Sequence, residues 1–166
     1  MTVRHRRRDV ALASLCASLI LSPACLGART TAAERAAQVE LLAQINAARA
    51  DHRRVPLRPS ALLARPARAH SNFVARTGLL QHTDAAGRPF RVRLYNAGYP
   101  RSRAVGENIG LVGGCDTAAA ADVVEMWLDS PSHRTVLLSR TFVTVGIGVV
   151  SDAGCRNTGY TADFGG

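Results

Sequence analysis

An α+β domain, or one layered α/β/α, is what this sequence predicts, and three observations carry the expectation. Between residue 33 and about 98, apolar residues recur mainly at helical spacing. Near the C-terminus, "FVTVGIGVV" and "TGYTADFG" alternate with the period of a half-buried strand. Between these regions strand-like and helical stretches interleave, the order expected of a sheet covered by helices. With 166 residues and 47% hydrophobic content, and without internal repeats or low-complexity tracts, the chain suits one domain with its own core.

The first thirty residues stand apart from that domain. Arg4, Arg6, Arg7 and Arg8 precede the apolar run "VALASLCASLILSPACL", which falls short of the ~20 residues a membrane span needs. The small residues of "GARTTAA" follow, so residues 1–30 read as a signal peptide cleaved between Gly27 and Ala33, with 33–166 as the exported domain. An uncleaved anchor is one alternative. A lipid on Cys25 is another, although the leucine before "SPAC" sits one place too early for a lipoprotein box.

The elements of the domain follow in order. Val39, Leu42, Ile45 and Asn46 share a helical face over 33–52, with Glu34 near its start, where a carboxylate suits the dipole. "RRVPLRPS" is a proline-punctuated connector, and a second helix ends at Gly78; its firm part is expected to begin near Pro66, since proline lacks the N–H and clashes with the preceding turn. "LLQHTDAAGRPF" is a loop by its turn residues, and "FRVRLYNAGY" one short helix closed by Gly98. "VGENIGLV" has strand-like ends. Asp116 or Thr117 is expected to cap a helix whose Ala120, Val123, Val124, Trp127 and Leu128 share a face, and Ser130 with Pro131 starts another. In "FVTVGIGVV", Val143, Val145, Ile147 and Val149 fall on one side and Gly146 and Gly148 on the other, where something can approach the backbone closely. Tyr160, Ala162 and Phe164 alternate in its hairpin partner.

Cysteines and charge bound the function. With Cys16 and Cys25 in the leader, an exported domain keeps Cys115 and Cys155, an even pair in an oxidising compartment and a predicted disulfide. Neither lies in a CxxC spacing, which disfavours a cysteine metal site. The formal charge is +9, and every Lys/Arg position is arginine. Twelve arginines lie between Arg49 and Arg103 against Asp51 and Asp84, whereas after Ala104 three arginines face seven acids. That asymmetry suits an anionic partner such as phospholipid headgroups or wall polymers, and suits equally a plain solvated arginine surface. Nucleic acid is disfavoured by export and by an aromatic content of 5% without a stacking run.

"INAARA", "ARAHSNFVA", "LLQHTDAAGRPF", "VGENIG", "VVEMWLDSPSHRTVLL" and "VGIGVV" ending in "DFG" occur in a fixed order. Together they resemble the CAP superfamily, or SCP domain, of cysteine-rich secretory proteins, venom antigen 5 allergens and plant pathogenesis-related proteins, most closely its short secreted bacterial branch. The resemblance runs from Ala37 to Phe164. It implies a three-layer α/β/α sandwich with a central antiparallel sheet, and a cleft of histidines and glutamates that maps onto His82, Glu107 and His133. Animal and plant members carry a second cleft glutamate shortly after the tryptophan; this chain has Asp129 and Ser130 there, so Asp129 is the candidate fourth position, against a reading in which Asp122, Glu125 and Asp129 form a solvated helix face.

Two imidazoles and a carboxylate suit Zn²⁺, and the resemblance alone brings them together. A metal-free His–Glu–His network is the alternative. A serine peptidase would draw on Ser71 beside His70, or on Ser130 and Ser132 beside His133, but no GxSxG elbow occurs; His70 itself reads as a structural helix residue. The leading expectation is a secreted, monomeric, non-enzymatic binding module that is not an integral membrane protein. Its cleft would hold a metal or small ligand, and its surface would meet lipid, sterol or anionic envelope material. The competing expectation is a metal-dependent hydrolase working in the same cleft.

Overall fold

Thr31 starts the first helix, α1 (Ala32–Asp51): its hydroxyl accepts from the Glu34 N–H at 3.0 Å, and the Glu34 carboxylate accepts from the Thr31 N–H at 2.8 Å. This reciprocal pair satisfies two donors that a helix start otherwise leaves orphaned. The computed structural model describes residues 30–166, so the signal peptide, its cleavage site and Cys25 lie outside the described residues. The buried stripe of α1 is Ala37, Leu41, Ile45, Ala48 and Arg49, while Val39, expected inside, is 71% exposed. The stripe is built partly from alanines, which a search for large apolar residues passes over.

The second helix, α2 (Ala61–Thr77), corrects another expectation, since it begins five residues before Pro66 and carries that proline in its interior. Close packing holds it regular. A Cβ at Gly146 would lie 2.0 Å from the Leu63 carbonyl carbon, and one at Gly148 2.4 Å from the Ala67 carbonyl oxygen, so the helix backbone rests directly on a glycine-lined strand. Gly78, at φ 70°, ends the helix in the left-handed region.

The connector holds a two-residue strand that the sequence reading did not foresee, β1 (Arg58–Pro59). After it come α3 (Phe90–Asn96), β2 (Val105–Gly113), α4 (Ala120–Asp129), α5 (Pro131–Leu137), β3 (Thr144–Ser151) and β4 (Asn157–Gly165). The sheet order is β1-β3-β4-β2, with β4 antiparallel to both neighbours and β1 a short parallel edge. "VGENIG" is thus continuous strand.

Tyr160, Ala162, Phe164, Val145, Ile147 and Val149 form one sheet face and pack with Leu41 and Ile45 of α1 and Trp127 of α4. Cross-strand partners share a face, so Glu107, opposite Asp163, looks to the other side, toward α2 and α3. The result is the expected three-layer α/β/α sandwich, with a sheet that is antiparallel as expected except at the short parallel edge β1, which makes it mixed. Ala119 is the N-cap of α4, not Asp116 or Thr117; Asp116 instead accepts from the Ala118 N–H at 2.8 Å in the preceding turn. Cys115 and Cys155 are bridged, as their pairing in an exported domain predicts.

Candidate functional site

Glu107 sits in β2, an edge strand of the sheet, with its side chain fully buried. A lone carboxylate there would cost several kcal/mol, roughly, and both oxygens are in fact engaged. Oε1 accepts from His82 Nδ1 at 2.8 Å, and Oε2 is ion-paired with Arg93 Nη2. Arg93 comes from α3 and also donates from Nη1 to the His82 carbonyl at 2.9 Å, so one guanidinium holds both the carboxylate and the loop that carries the imidazole. Because His82 spends Nδ1–H on the carboxylate, its Nε2 is the edge left for a ligand; the ring is 47% exposed.

His133 completes the cleft from α5, its ring centroid 6.3 Å from that of His82. Its Nδ1 is 3.0 Å from Ser130 Oγ, which again leaves Nε2. Asn108, the residue after Glu107, points to the opposite sheet face and donates to the His133 carbonyl at 3.0 Å. Neighbouring residues on β2 therefore fix the two imidazole-bearing segments. Asn108 was expected to bond backbone groups locally; its partner is backbone but 25 residues distant.

The sequence reading missed two members of this cluster. Arg93 looked like one more surface arginine. Asp163 lies directly opposite Glu107 and is fully buried, and its oxygens find no hydrogen-bond partner among the described residues while it is ionised, since two carboxylates hold no donor between them. Burial holds its carboxyl well above the ordinary range, and the Glu107 charge pushes it further, against the pull of Arg93. Protonated, Asp163 can supply the missing O–H to Glu107. Its position in the alternation of "TGYTADFG" was the available signal, because it falls on the strand face opposite Tyr160, Ala162 and Phe164.

The other candidates fall elsewhere. Asp129 is the last residue of α4, exposed, and makes no hydrogen bond or ion pair to the three cleft residues among the described residues. His70 is buried, with Nε2 2.9 Å from the Gln81 carbonyl, a structural tie between α2 and the loop. Ser71 donates toward Gly148 O and Thr161 Oγ1, both at 2.9 Å, and not to His70. Ser130 faces His133 Nδ1 at the start of α5, and no carboxylate orients that ring, so the nucleophile–base–orienter chain of a serine peptidase does not form among the described residues.

Burial lowers the pKa of His70, with Glu107 pulling it back up and Arg93 adding to the depression; burial and then the neighbouring His82 lower that of His133. Between these lowered values and about 6.5 the unfolded chain binds protons that the folded chain refuses. The histidine contribution is therefore complete above about pH 6.5 and is lost as pH falls below it. Asp163 acts in the opposite sense. The comparison that isolates the histidine is urea unfolding of wild type and His70→Gln: the wild-type midpoint is expected to fall more steeply from pH 7 to pH 5, and equal slopes would contradict this.

The donor chemistry bears directly on Zn²⁺. The His82 and His133 Nε2 atoms suit a divalent transition metal, and a carboxylate that bonds the second nitrogen of a ligating imidazole is a common outer partner. Glu107 would take that outer place around a bound ion, since its oxygens already meet His82 and Arg93. Among the described residues, no group of three His, Cys, Asp or Glu side chains is placed to hold a metal ion. The fit is thus to two imidazoles with open positions, oriented by Glu107 and Ser130.

The family model described as the cysteine-rich secretory protein family, CAP, matches residues 42–164. Among solved structures, an extracellular protein containing an SCP domain from Bacillus anthracis has a TM-score of 0.65 and 23% identity, over 79% of this chain and 40% of its own. An outer surface protein from Borrelia burgdorferi has a TM-score of 0.64 and 20% identity, over 79% of this chain and 92% of its own. A structure described as NaASP2 with Zn²⁺ has a TM-score of 0.53 and 13% identity, over 84% of this chain and 83% of its own. No curated protein matches the chain in sequence at a significant level. At these identities the structures speak for the fold, while the family model spans most of the sequence: the chain belongs to the cysteine-rich secretory protein (CAP) family.

Proposed function

We propose that this CAP domain is an exported binding module whose cleft, between His82 and His133, takes a divalent metal ion or a small ligand and performs no hydrolysis. The observation that carries this reading is the state of Glu107. A general base must lie within reach of the proton it removes, and this carboxylate is fully buried, with one oxygen on Arg93 and the other on His82. Its role is to orient His82. The two Nε2 atoms would hold Zn²⁺, which when bound supplies a Lewis acid for an oxygen or anionic ligand. The zinc in the distantly similar NaASP2 structure agrees with this choice of metal.

Export is supported by the signal-like leader, the Cys115–Cys155 bridge and the extracellular and outer-surface relatives. No helix among the described residues is long and apolar enough to cross a membrane. The arginine-rich half of the chain suits anionic envelope or lipid partners, met by a monomer.

Turnover decides between module and hydrolase. Zinc-loaded protein is expected to cleave peptide and ester substrates no faster than buffer. Turnover that disappears in both His82→Ala and His133→Ala would overturn the binding-only reading in favour of a metal-dependent hydrolase.

A further inference from the structure

Beside the imidazole cleft, a cavity of about 350 Å³ opens between α2, α3 and the 78–89 loop. We propose that it is a second binding site, for a small amphiphilic anion: a phosphate or carboxylate head carried on an apolar or aromatic body. The inference rests on the anionic-partner part of the proposed function and is independent of the metal.

Charge is the first argument. Arg65, Arg88 and Arg93 line the cavity. Arg88 is paired with Asp84 at 2.9 Å and Arg93 with Glu107, but Arg65 has no ion pair or hydrogen bond among the described residues. His70, also in the wall, is kept neutral by burial. One guanidinium charge is therefore left over, in a concave site where a charge-assisted bond to phosphate or carboxylate is stronger than on open surface.

Shape and polarity are the second. Pro66, Ala69 and the half-buried Phe73 provide an apolar wall, and Phe73 continues into an adjoining cavity of about 400 Å³ that also holds Arg76 and shares Asp84 and Arg88. Pockets of a few hundred Å³ with mostly apolar walls and a few convergent polar groups are what small ligands occupy.

The test uses phenyl phosphate as probe, titrated into the exported domain by calorimetry, with inorganic phosphate for comparison. Phenyl phosphate is expected to bind below millimolar Kd. Arg65→Ala, an exposed position, should weaken it about tenfold or more. Phe73→Ala should weaken phenyl phosphate but leave inorganic phosphate unchanged. Arg140→Ala, outside both cavity walls, should change neither. Sedimentation with phosphatidylglycerol vesicles distinguishes the sources: Arg65-dependent capture points to a lipid headgroup, and its absence beside phenyl phosphate binding to a soluble ligand. No phenyl phosphate binding at millimolar concentration, equal affinity for inorganic phosphate, or equal losses in Arg65→Ala and Arg140→Ala would each overturn the proposal. Zinc titration of the His82–His133 cleft reads separately, so failure here leaves that reading standing.

Discussion

Arg49→Met is expected to lose about 3 kcal/mol or more of folding stability, seen as a lower urea midpoint with an unchanged slope. Arg49 is 1% exposed and has no carboxylate partner among the described residues. Its guanidinium instead donates from Nη1 to the carbonyls of Leu137 and Ser139 at 2.7 and 3.0 Å, and from Nε to that of Val55 at 2.9 Å. A longer bond of 3.4 Å reaches the Phe142 carbonyl. Four segments are tied at one point: the end of α1, the connector at Val55, the C-terminus of α5, where the helix dipole favours a cation, and the approach to β3. Burial, and then Arg54, lower the Arg49 pKa, and the carbonyls compensate for the lost water. Methionine keeps the packing of the stem but leaves those carbonyls orphaned. Arg49→Lys, which can reach some of them, should recover part of the loss. A midpoint in Arg49→Met equal to wild type would show that water replaces the guanidinium without cost.

The Cys115→Ala/Cys155→Ala double variant is expected to lose about 3–4 kcal/mol, because the bridge closes a loop of 40 residues in the unfolded chain. The native geometry around Cys155 does not depend on the bridge alone. Asp152 accepts from the backbone N–H groups of Arg156 and Asn157 at 2.6 and 2.9 Å and pairs with the Arg156 guanidinium, so the β3–β4 turn is already organised. The loss should therefore appear in stability while the zinc affinity proposed for the cleft is retained. Thermal unfolding with and without reductant measures it, and identical transitions would contradict the entropic account.

Much of the architecture was legible because it rests on periodicity. Val145, Ile147, Val149, Tyr160, Ala162 and Phe164 alternate as buried strands do, and the glycines opposite them marked a face open to close approach, which the α2 backbone takes. The start of α2 was not legible, because local proline chemistry argued for Pro66 while the contact with Gly146 and Gly148 settled it for Ala61. β1 was hidden because two residues show no period. In the cleft, Glu107 announced itself as a carboxylate in an apolar stretch, and the family resemblance supplied His82 and His133. Arg93 stayed hidden because its role comes from facing Glu107 across another element, which no spacing encodes; for Asp163 the alternation of "TGYTADFG" gave the strand face but not the residue opposite it.

The most direct test of the account is a calorimetric Zn²⁺ titration of the domain and its variants. Wild type is expected to take up one ion per chain. His82→Ala and His133→Ala should each lose most of that affinity, and Glu107→Gln should lose about 10–100-fold through the misoriented His82 ring. Uptake by the His82→Ala/His133→Ala double variant equal to that of wild type would contradict the claim that these two imidazoles form the binding cleft.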